Sequence, residues 1–246
     1  MYGSVIGRGA QSVILANGDR AQKIYPAGFP LERVQREVDA QRTALENGVR
    51  TPKVYGVKCI EDRPMLVMER INGLPLDELM RRKPDMAPVM LEDFARLQHR
   101  IHQIPFEGRP RFSDRVRESI QQLPIAPGKR LGLMSSLRCL PEQTALCHGD
   151  FHPQNVMVDE DGPVVIDWVD ARMGHPLADA CQTYLLLLLH APQLAESYKD
   201  FWDRMPIEDG HTLTDWLTPL AFARRALNRP DEPALASLVD MPPEKS

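Results

Sequence analysis

The segment His148-Gly149-Asp150-Phe151-His152-Pro153-Gln154-Asn155, followed by Ile166-Asp167-Trp168, decides how this 246-residue chain is interpreted. Asp150 precedes Asn155 by five residues, and Asp167 ends the next apolar run. Phosphoryl transfer from a nucleotide needs one carboxylate to take the proton of an acceptor hydroxyl, and oxygen ligands to hold magnesium against the phosphates. The spacing therefore predicts Asp150 as the catalytic base and Asn155 and Asp167 as metal ligands. The alternative is a polar turn that contains these residue types by chance.

The apolar pattern around this segment predicts the backbone that carries it. Residues 144–147 can form a short buried strand that enters the loop. Residues 156–158 and 164–166 predict a hairpin across the turn Asp159-Glu160-Asp161-Gly162. Such a hairpin puts Asn155 at the start of one strand and Asp167 at the end of its partner. The two expected metal ligands then become neighbours.

These residues resemble the aminoglycoside phosphotransferase and choline kinase-like family, which are small-molecule kinases with a protein-kinase-like fold. The resemblance covers about residues 4 to 190. Downstream, Gly174-His175-Pro176-Leu177-Ala178-Asp179-Ala180 resembles that family's G-x-P-x-x-D-x-A segment. The resemblance implies that Asp179 braces the catalytic loop through backbone hydrogen bonds, although an acidic residue near a helix N-terminus would suit this position too. His148 is expected to hydrogen-bond within the loop.

Elements are predicted along most of the chain. Five strands are expected at 4–8, 12–16, 21–25, 53–59 and 65–70, with a hairpin turn at Asn17-Gly18-Asp19-Arg20. One helix is expected at 31–46, ending at Asn47-Gly48. Further helices are expected at 76–82, 88–103, 113–122, 130–140, 178–190, 193–204 and 212–227, and a frayed tail at 241–246. The pattern alone predicts an α+β fold in two lobes. The resemblance implies a bilobal protein-kinase-like fold, with a small five-stranded antiparallel β lobe and one helix at 1–70 and a larger, mainly helical lobe at 71–246.

Nucleotide binding is expected in the N-terminal lobe. The stretch Ile6-Gly7-Arg8-Gly9-Ala10-Gln11-Ser12-Val13 resembles a kinase glycine-rich loop, with Ser12 where protein kinases have a third glycine. Lys23 follows on the third strand and is expected to pair with the α- and β-phosphates. Glu37 is expected to hold Lys23, in preference to Glu32 or Glu46, because apolar residues flank Glu37 on the predicted helix.

Adenine needs a flat apolar slot and backbone hydrogen bonds. The resemblance implies that the slot is lined by Ile6, Val13, Ala21 and Met68 on one side and by Met157 and Ile166 on the other. The linker Glu69-Arg70-Ile71 is expected to supply backbone groups. The implied cofactors are ATP, or GTP in its place, and Mg²⁺.

Charge is unevenly spread along the chain. Residues 1–149 carry 23 Lys and Arg against 17 Asp and Glu, whereas residues 150–246 carry 7 against 17. An acidic C-terminal part is expected to attract a cationic acceptor, and an excess of solvated helix faces is the competing interpretation. No dense basic stripe with interleaved aromatic residues is present, which argues against nucleic acid as a partner.

The remaining composition predicts a cytoplasmic protein without a membrane span and without a zinc site. The first residues lack a basic leader and a long apolar core, and the most apolar stretch, 185–189, is too short to span a bilayer. The four cysteines have no C-x-x-C spacing, so reduced thiols are expected. His148 and His152 have zinc-like spacing, but Gly149 and Pro153 argue against the helix that such a site uses.

Three functions fit the motifs. The first is a magnesium-dependent kinase that phosphorylates a hydroxyl of a small molecule, such as an aminoglycoside-like amino sugar or an amino alcohol. The alternative from another class is a nucleotide-binding regulatory pseudokinase, which the intact set of Lys23, Glu37, Asp150, Asn155 and Asp167 disfavours. A protein kinase is also disfavoured, because the seven residues from Trp168 to Gly174 are too few for an activation loop that docks a peptide.

Overall fold

The computed structural model describes residues 3–9, 11–108, 110–206 and 210–226. These residues divide into two compact units. The first comprises the described residues up to Lys83 together with Pro153–Ala171, and the second comprises Pro84–His152 and the described residues from Arg172 onward. The lobes expected at 1–70 and 71–246 stay a prediction, because the lobes of the family need not coincide with these compact units. Within the described residues, no helix is long and apolar enough to cross a membrane.

The first unit contains a five-stranded antiparallel sheet. Its strands are β1 (Val5–Arg8), β2 (Val13–Asn17), β3 (Arg20–Ile24), β4 (Val54–Ile60) and β5 (Arg63–Glu69), in the order β1-β2-β3-β5-β4. The turn between β2 and β3 forms at Gly18-Asp19 as the sequence predicts, and Gly18 has a φ of 63°. A two-residue hairpin turn whose first central residue takes positive φ favours glycine at that position.

Helix α1 (Leu31–Glu46) packs on this sheet. It begins after Pro30, as expected for a helix that follows a proline-containing loop. It ends where the Gly48 N–H donates to Leu45 O at 3.1 Å and the Val49 N–H donates to Ala44 O at 3.0 Å, with Gly48 at a φ of 79°. This is the Schellman ending that Asn47-Gly48 predicts. Val34 and Val38 of α1 join Ala21, Leu66 and Met68 of the sheet in one apolar core.

A second, three-stranded sheet completes the first unit. The predicted hairpin is present as β8 (Val156–Asp159) and β9 (Gly162–Val165), and β6 (Leu74–Pro75) pairs with β8. The helix α2 (Leu76–Arg82) follows β6. Strand β6 was not predicted, because two residues are too short to show an alternating pattern.

The second unit is mainly helical. Its helices are α3 (Ala87–His102), α4 (Phe112–Gln122), α5 (Pro127–Cys139), α6 (Pro176–His190), α7 (Pro192–Asp203) and α8 (Leu217–Arg225). The predicted strand before the catalytic loop is β7 (Ala145–Cys147), and it pairs with β10 (Arg172–Gly174), which was not predicted. The expected α+β fold, with its five-stranded antiparallel sheet, is thus confirmed.

The last predicted helix, 212–227, differs from the structure. The segment Leu213–Trp216 is a 3-10 helix, and α8 begins only at Leu217. Pro219 has no N–H to donate to the carbonyl of Asp215, which explains why the α-helical bonding starts later. Leu227 and the predicted frayed tail at 241–246 lie outside the described residues.

Candidate active site

Lys23 is buried in the first unit although it lies in the middle of a strand. Ala21, Lys23 and Tyr25 point to one face of the sheet, and Lys23 is 3% exposed. Its Nζ donates to Glu37 Oε1 at 2.6 Å and to Asp167 Oδ1 at 2.7 Å. The expected partner of Lys23 on α1 is therefore present, and Glu32 and Glu46 are exposed. We refer to Lys23, Glu37 and Asp167 as the ion triplet.

The ion triplet keeps its lysine charged. Burial by itself would lower the pKa of Lys23, but the carboxylates of Glu37 and Asp167 outweigh burial and raise this pKa above its ordinary value. Burial raises the pKa of Tyr25, so the Tyr25 hydroxyl keeps its proton and donates to the second oxygen of Glu37. Both oxygens of Glu37 are thus occupied. Tyr25 was missed in the sequence, although its spacing of two residues from Lys23 places it on the same strand face.

Asp167 has an unusual backbone conformation. Its φ is 62°, in the left-handed region that aspartate and asparagine enter more readily than most residues. The residue before it is held by the hairpin, because the Ile166 N–H donates to Asn155 O at 2.9 Å. The two predicted metal ligands therefore flank one hydrogen bond, as the sequence predicts. The side chain of Asp167 is 35% exposed, so it can reach a ligand while it contacts Lys23.

The chemistry of this part of the first unit fits a divalent cation. The formal charges of the ion triplet, one positive and two negative, sum to −1. Asn155 adds an amide side chain at the neighbouring position. Magnesium prefers oxygen ligands, and protein sites often supply only one or two carboxylates.

The register of the glycine-rich segment corrects one predicted contact. Ile14 pairs with Lys23 across β2 and β3, whereas Val13 pairs with Ile24. Directly opposed residues share a face, so Ile14 lies on the face of Lys23 and Val13 on the other. Gly7 pairs with Ile14, and Ile6 is 47% exposed. Ile14 stands seven residues after Gly7, where the kinase pattern G-x-G-x-x-G-x-V has its valine, and this spacing was the signal for it.

The other residues expected around adenine also lie in the first unit. Ala21 pairs with Met68, and both belong to its apolar core. Met157 pairs with Val164, and Ile166 lies two residues beyond Val164 on the same face of the hairpin.

The linker offers fewer backbone groups than the sequence suggested. The Glu69 N–H donates to Lys53 O at 2.8 Å, and the Arg70 N–H donates to Asp19 O at 3.0 Å. These two N–H groups are engaged within the protein, so they are not the backbone groups that the linker would offer to adenine. The amide of Ile71 and the linker carbonyls remain in the proposal.

The segment with Asp150 belongs to the second unit. Asp179 is fully buried, and its carboxylate accepts from the His148 N–H at 3.1 Å and from the Gly149 N–H at 2.7 Å. His148 Nδ1 in turn accepts from the Asp150 N–H at 3.3 Å. The brace predicted for Asp179 and the loop hydrogen bond predicted for His148 are thus present. His152 Nε2 lies 3.6 Å from Asp150 Oδ2.

From their places in the sequence, Asp170, His175, Glu196 and Trp202 are candidates for contacts with the acceptor, and the structure gives each of them other partners. His175 and Trp202 are buried, and His175 caps α6 by accepting from the Leu177 N–H. Asp170 pairs with Arg33 at 3.4 Å within the first unit, and Glu196 accepts from the Tyr184 hydroxyl at 2.9 Å. The acceptor contacts are therefore not identified by these residues.

The chain is similar to known proteins in sequence and in fold. Viomycin phosphotransferase from Streptomyces vinaceus is 25% identical over 174 residues, a match that spans 60% of this chain and 61% of the relative's length. A thermostable mutant of an aminoglycoside phosphotransferase, solved as a ternary complex with AMP-PNP and hygromycin B, has a TM-score of 0.71 at 16% identity and covers 97% of this chain and 94% of that chain.

A choline/ethanolamine kinase family protein from Mesorhizobium loti has a TM-score of 0.67 at 18% identity and covers 97% of this chain and 88% of that chain. At such identities, the two solved structures bear on the fold alone, and they confirm the expected protein-kinase-like fold. The family model described as "Phosphotransferase enzyme family" matches residues 6–205, which is most of the chain. The match includes the buried Lys23, the hairpin with Asn155 and Asp167, and the braced loop with Asp150. This chain belongs to the phosphotransferase enzyme family.

Proposed function

We propose that this protein is a Mg²⁺-dependent phosphotransferase that moves the γ-phosphate of ATP to a hydroxyl of a small, amine-bearing molecule. The observation that carries the proposal is the ion triplet of Lys23, Glu37 and Asp167. Burying a charged lysine costs free energy unless the charge is paired. A charged lysine that is buried in the first unit and paired with two carboxylates therefore indicates a functional role. A strand lysine held by a helix glutamate is the arrangement with which kinases bind the α- and β-phosphates.

The sheet face that carries Lys23 also suits the base of a purine nucleotide, and ATP is the nucleotide proposed. The face of the sheet that presents Lys23 also presents Ala21, Met68 and Ile14, which are apolar groups suited to a flat base. In this proposal Met157 and Ile166 contribute from the hairpin, Gly7 and Gly9 let backbone amides approach phosphate oxygens, and Ile71 supplies a backbone group. The structural neighbour that contains AMP-PNP supports adenine. GTP is the alternative for the same site.

Asn155 and Asp167 are the residues proposed to hold magnesium. Both carry oxygen donors, they flank one hydrogen bond of the hairpin, and the ion triplet has an excess of negative charge. When bound, Mg²⁺ would neutralise charge that develops on the phosphates. Lys23 would orient the phosphates, and Glu37 and Tyr25 would keep the ammonium group of Lys23 in place.

Asp150 is proposed as the general base. It would accept the proton of the acceptor hydroxyl and orient that hydroxyl for attack. Hydrogen bonds fix the backbone immediately before it, through Asp179 and His148, so the carboxylate is attached to a held segment. His152 Nε2 lies 3.6 Å from the Asp150 carboxylate.

The proposal of an amine-bearing acceptor rests on the relatives and no longer on charge. Residues 84–152 and 172–246 carry 16 Lys and Arg against 19 Asp and Glu, a net charge of −3, because the acidic segment 153–171 packs with the first unit. The corresponding net charge for residues 1–83 and 153–171 is −1. The strong contrast between the two parts of the sequence therefore does not follow the compact units. Aminoglycosides and ethanolamine, named in the relatives, carry amines, and choline carries a quaternary ammonium group. A cytoplasmic location, without membrane or nucleic acid as partner, completes the proposal.

The test is a phosphorylation screen of the purified full chain with Mg²⁺ and either ATP or GTP. Viomycin, hygromycin B, choline and ethanolamine are offered together with a neutral sugar and a hydroxy acid. We expect phosphate transfer to an amine-bearing acceptor, with ATP preferred. Lys23→Ala should lose transfer and nucleotide binding, whereas Lys58→Ala, on the exposed side of β4, should match the wild type.

Each outcome of the screen separates one part of the proposal. Transfer only to a neutral sugar or hydroxy acid would overturn the amine-bearing acceptor and leave the kinase. Mg²⁺-dependent nucleotide binding without transfer to any acceptor would favour a regulatory pseudokinase. Full activity of Lys23→Ala would overturn the role of the ion triplet.

A further inference from the structure

A buried polar network lies beneath the loop that carries Asp150. It comprises Gln98 of α3, Asp179 and Thr183 of α6, and Tyr198 of α7, each with an exposed fraction of 0%. Asp179 is the brace already described. The other members have no part in the motifs of the sequence, and buried polar groups of this kind are worth retaining only when their hydrogen bonds are made.

Thr183 holds the loop on the far side of Asp150. Its hydroxyl donates to Phe151 O at 2.8 Å, and the next oxygen within reach, Asp179 O, is more distant at 3.2 Å. A hydroxyl has one proton, and the shorter distance assigns it to Phe151. Asp179 accepts from the two residues before Asp150, so the backbone is fixed on both sides of this residue.

Gln98 joins the two side chains that hold the loop. Its amide nitrogen donates one proton to Asp179 Oδ2 and the other to Thr183 Oγ1, both at 3.0 Å. Its amide oxygen accepts from the Tyr198 hydroxyl. The opposite orientation of the amide would bring two acceptor oxygens together at Asp179, so the orientation is determined by the neighbours.

The aromatic packing reinforces this arrangement. Phe151 is fully buried and stacks on Phe94 with ring centroids 4.4 Å apart. Phe94 lies one helical turn before Gln98, so one face of α3 contacts both the loop and its support. Rotation of Phe151 is thereby restricted together with its carbonyl.

We propose that Thr183 and Gln98 are positioning residues for Asp150. Thr183 fixes the peptide that follows Asp150, and Gln98 fixes Thr183 relative to Asp179. This inference rests on the proposed function, in which Asp150 is the base. Displacement of a reacting group by about 1 Å can cost about 10²-fold in rate, so loss of the Thr183 hydrogen bond should lower turnover without any contact to substrate.

The test compares Thr183→Val with Thr183→Ser. Valine keeps the shape of threonine and removes the hydroxyl, whereas serine keeps the hydroxyl. The probe reaction is transfer from Mg²⁺ and ATP to the best acceptor among viomycin, hygromycin B, choline and ethanolamine. We expect kcat to fall about 10- to 100-fold in Thr183→Val with the KM for ATP within about twofold, and Thr183→Ser to retain most of kcat. Gln98→Met should reproduce the effect of valine.

Ser113→Ala is the matched control for loss of a buried hydroxyl in the same unit. Ser113 lies on α4, is 3% exposed and donates to Glu142, away from the loop. The Ser113→Ala substitution should lower the midpoint of unfolding and leave kcat unchanged. An unchanged kcat in Thr183→Val, or an equal loss in Thr183→Ser, would overturn the positioning role.

Amide hydrogen exchange distinguishes this inference from the proposed function. In Thr183→Val, the amides of Gly149, Asp150 and Phe151 should exchange faster, and in Thr183→Ser they should not. If no acceptor is phosphorylated by the wild type, the proposed function fails, and the exchange rates still decide whether Thr183 holds the loop. Unchanged exchange in Thr183→Val would overturn the inference on its own.

Discussion

At the scale of single residues, the candidate site depends on charges whose environments differ. Lys23 and Glu37 are almost fully buried and satisfied by each other and by Tyr25. The Asp150 side chain is 27% exposed, with its backbone held by His148. A buried ion pair is sensitive to removal of either partner, whereas a more exposed carboxylate can be neutralised with little structural cost.

Asp150→Asn is therefore expected to separate catalysis from binding. The amide cannot take the proton of the acceptor, so kcat should fall by about 10²- to 10⁴-fold. Nucleotide affinity, measured by calorimetric titration, should be nearly unchanged. Asp161→Asn, on an exposed hairpin turn, is the control. Turnover of Asp150→Asn at the wild-type rate would remove Asp150 from the mechanism.

At the scale of elements, the hairpin of β8 and β9 determines where the predicted metal ligands lie. It is attached to the first unit by Arg50, whose guanidinium contacts both carboxylate oxygens of Asp159 at 2.8 and 3.0 Å. The Val165 N–H also donates to Arg50 O at 2.9 Å. Arg50 follows α1, so the helix that carries Glu37 and the hairpin that leads to Asp167 are joined through one residue.

Substitutions at Asp167 should separate its charge from its backbone conformation. Asp167→Asn removes the negative charge, but asparagine still tolerates the φ of 62°. Asp167→Ala removes the negative charge and places alanine, which tolerates positive φ poorly, at this position. Both variants should lose the Mg²⁺ dependence of nucleotide binding. Asp167→Ala should in addition be less stable than Asp167→Asn by about 1 kcal/mol, measured by urea unfolding. If Mg²⁺ still strengthens nucleotide binding in both variants, Asp167 is not a metal ligand.

At the scale of the whole molecule, stability should depend on pH through Asp179. Burial would raise the pKa of this carboxyl, but hydrogen bonds from His102 and Gln98 outweigh burial and lower it below its ordinary value. The unfolded chain therefore takes up the proton at a higher pH than the folded chain. The stabilisation is complete above about pH 4 and is lost as the pH falls through the folded-state pKa.

Urea unfolding between about pH 5 and pH 3 measures this contribution, since the pKa of an unfolded aspartate is about 3.9. The free energy of unfolding of the wild type should fall more steeply than that of Asp179→Asn over this range. Asp93→Asn, an exposed position on α3, should keep the wild-type slope. Parallel slopes for the wild type and Asp179→Asn would show that Asp179 does not contribute in this way.

The charges of the two units also predict a weak effect of salt on the acceptor. With net charges of −1 and −3, long-range attraction of a cation is small. The KM of a cationic acceptor should therefore change by less than about threefold between about 0.01 and 0.15 M salt, while the screening length falls from about 30 to about 8 Å. A neutral acceptor serves as the control. A larger rise in KM for the cation alone would indicate direct contact with carboxylates.

The sequence by itself predicted most of the helices and strands and the candidate site residues. Local patterns fixed α1 at Leu31–Glu46, the turn at Gly18-Asp19 and the hairpin with Asn155 and Asp167, because helix ends and two-residue turns depend on neighbouring residues. The apolar pattern of α1 also predicted the contact of Lys23 with Glu37, and the family resemblance implied the contact of Asp179 with the loop.

Only the tertiary structure decided the contacts between distant residues. It assigned Ile14 rather than Val13 to the face of Lys23, engaged the amides of Glu69 and Arg70, and added Tyr25 and the network around Gln98. It also packed the acidic segment 153–171 with the first unit, which removed the charge contrast seen along the chain. The physical reason is that strand register and burial are set by pairing and packing between residues far apart in the sequence, which the local propensities of residues do not determine.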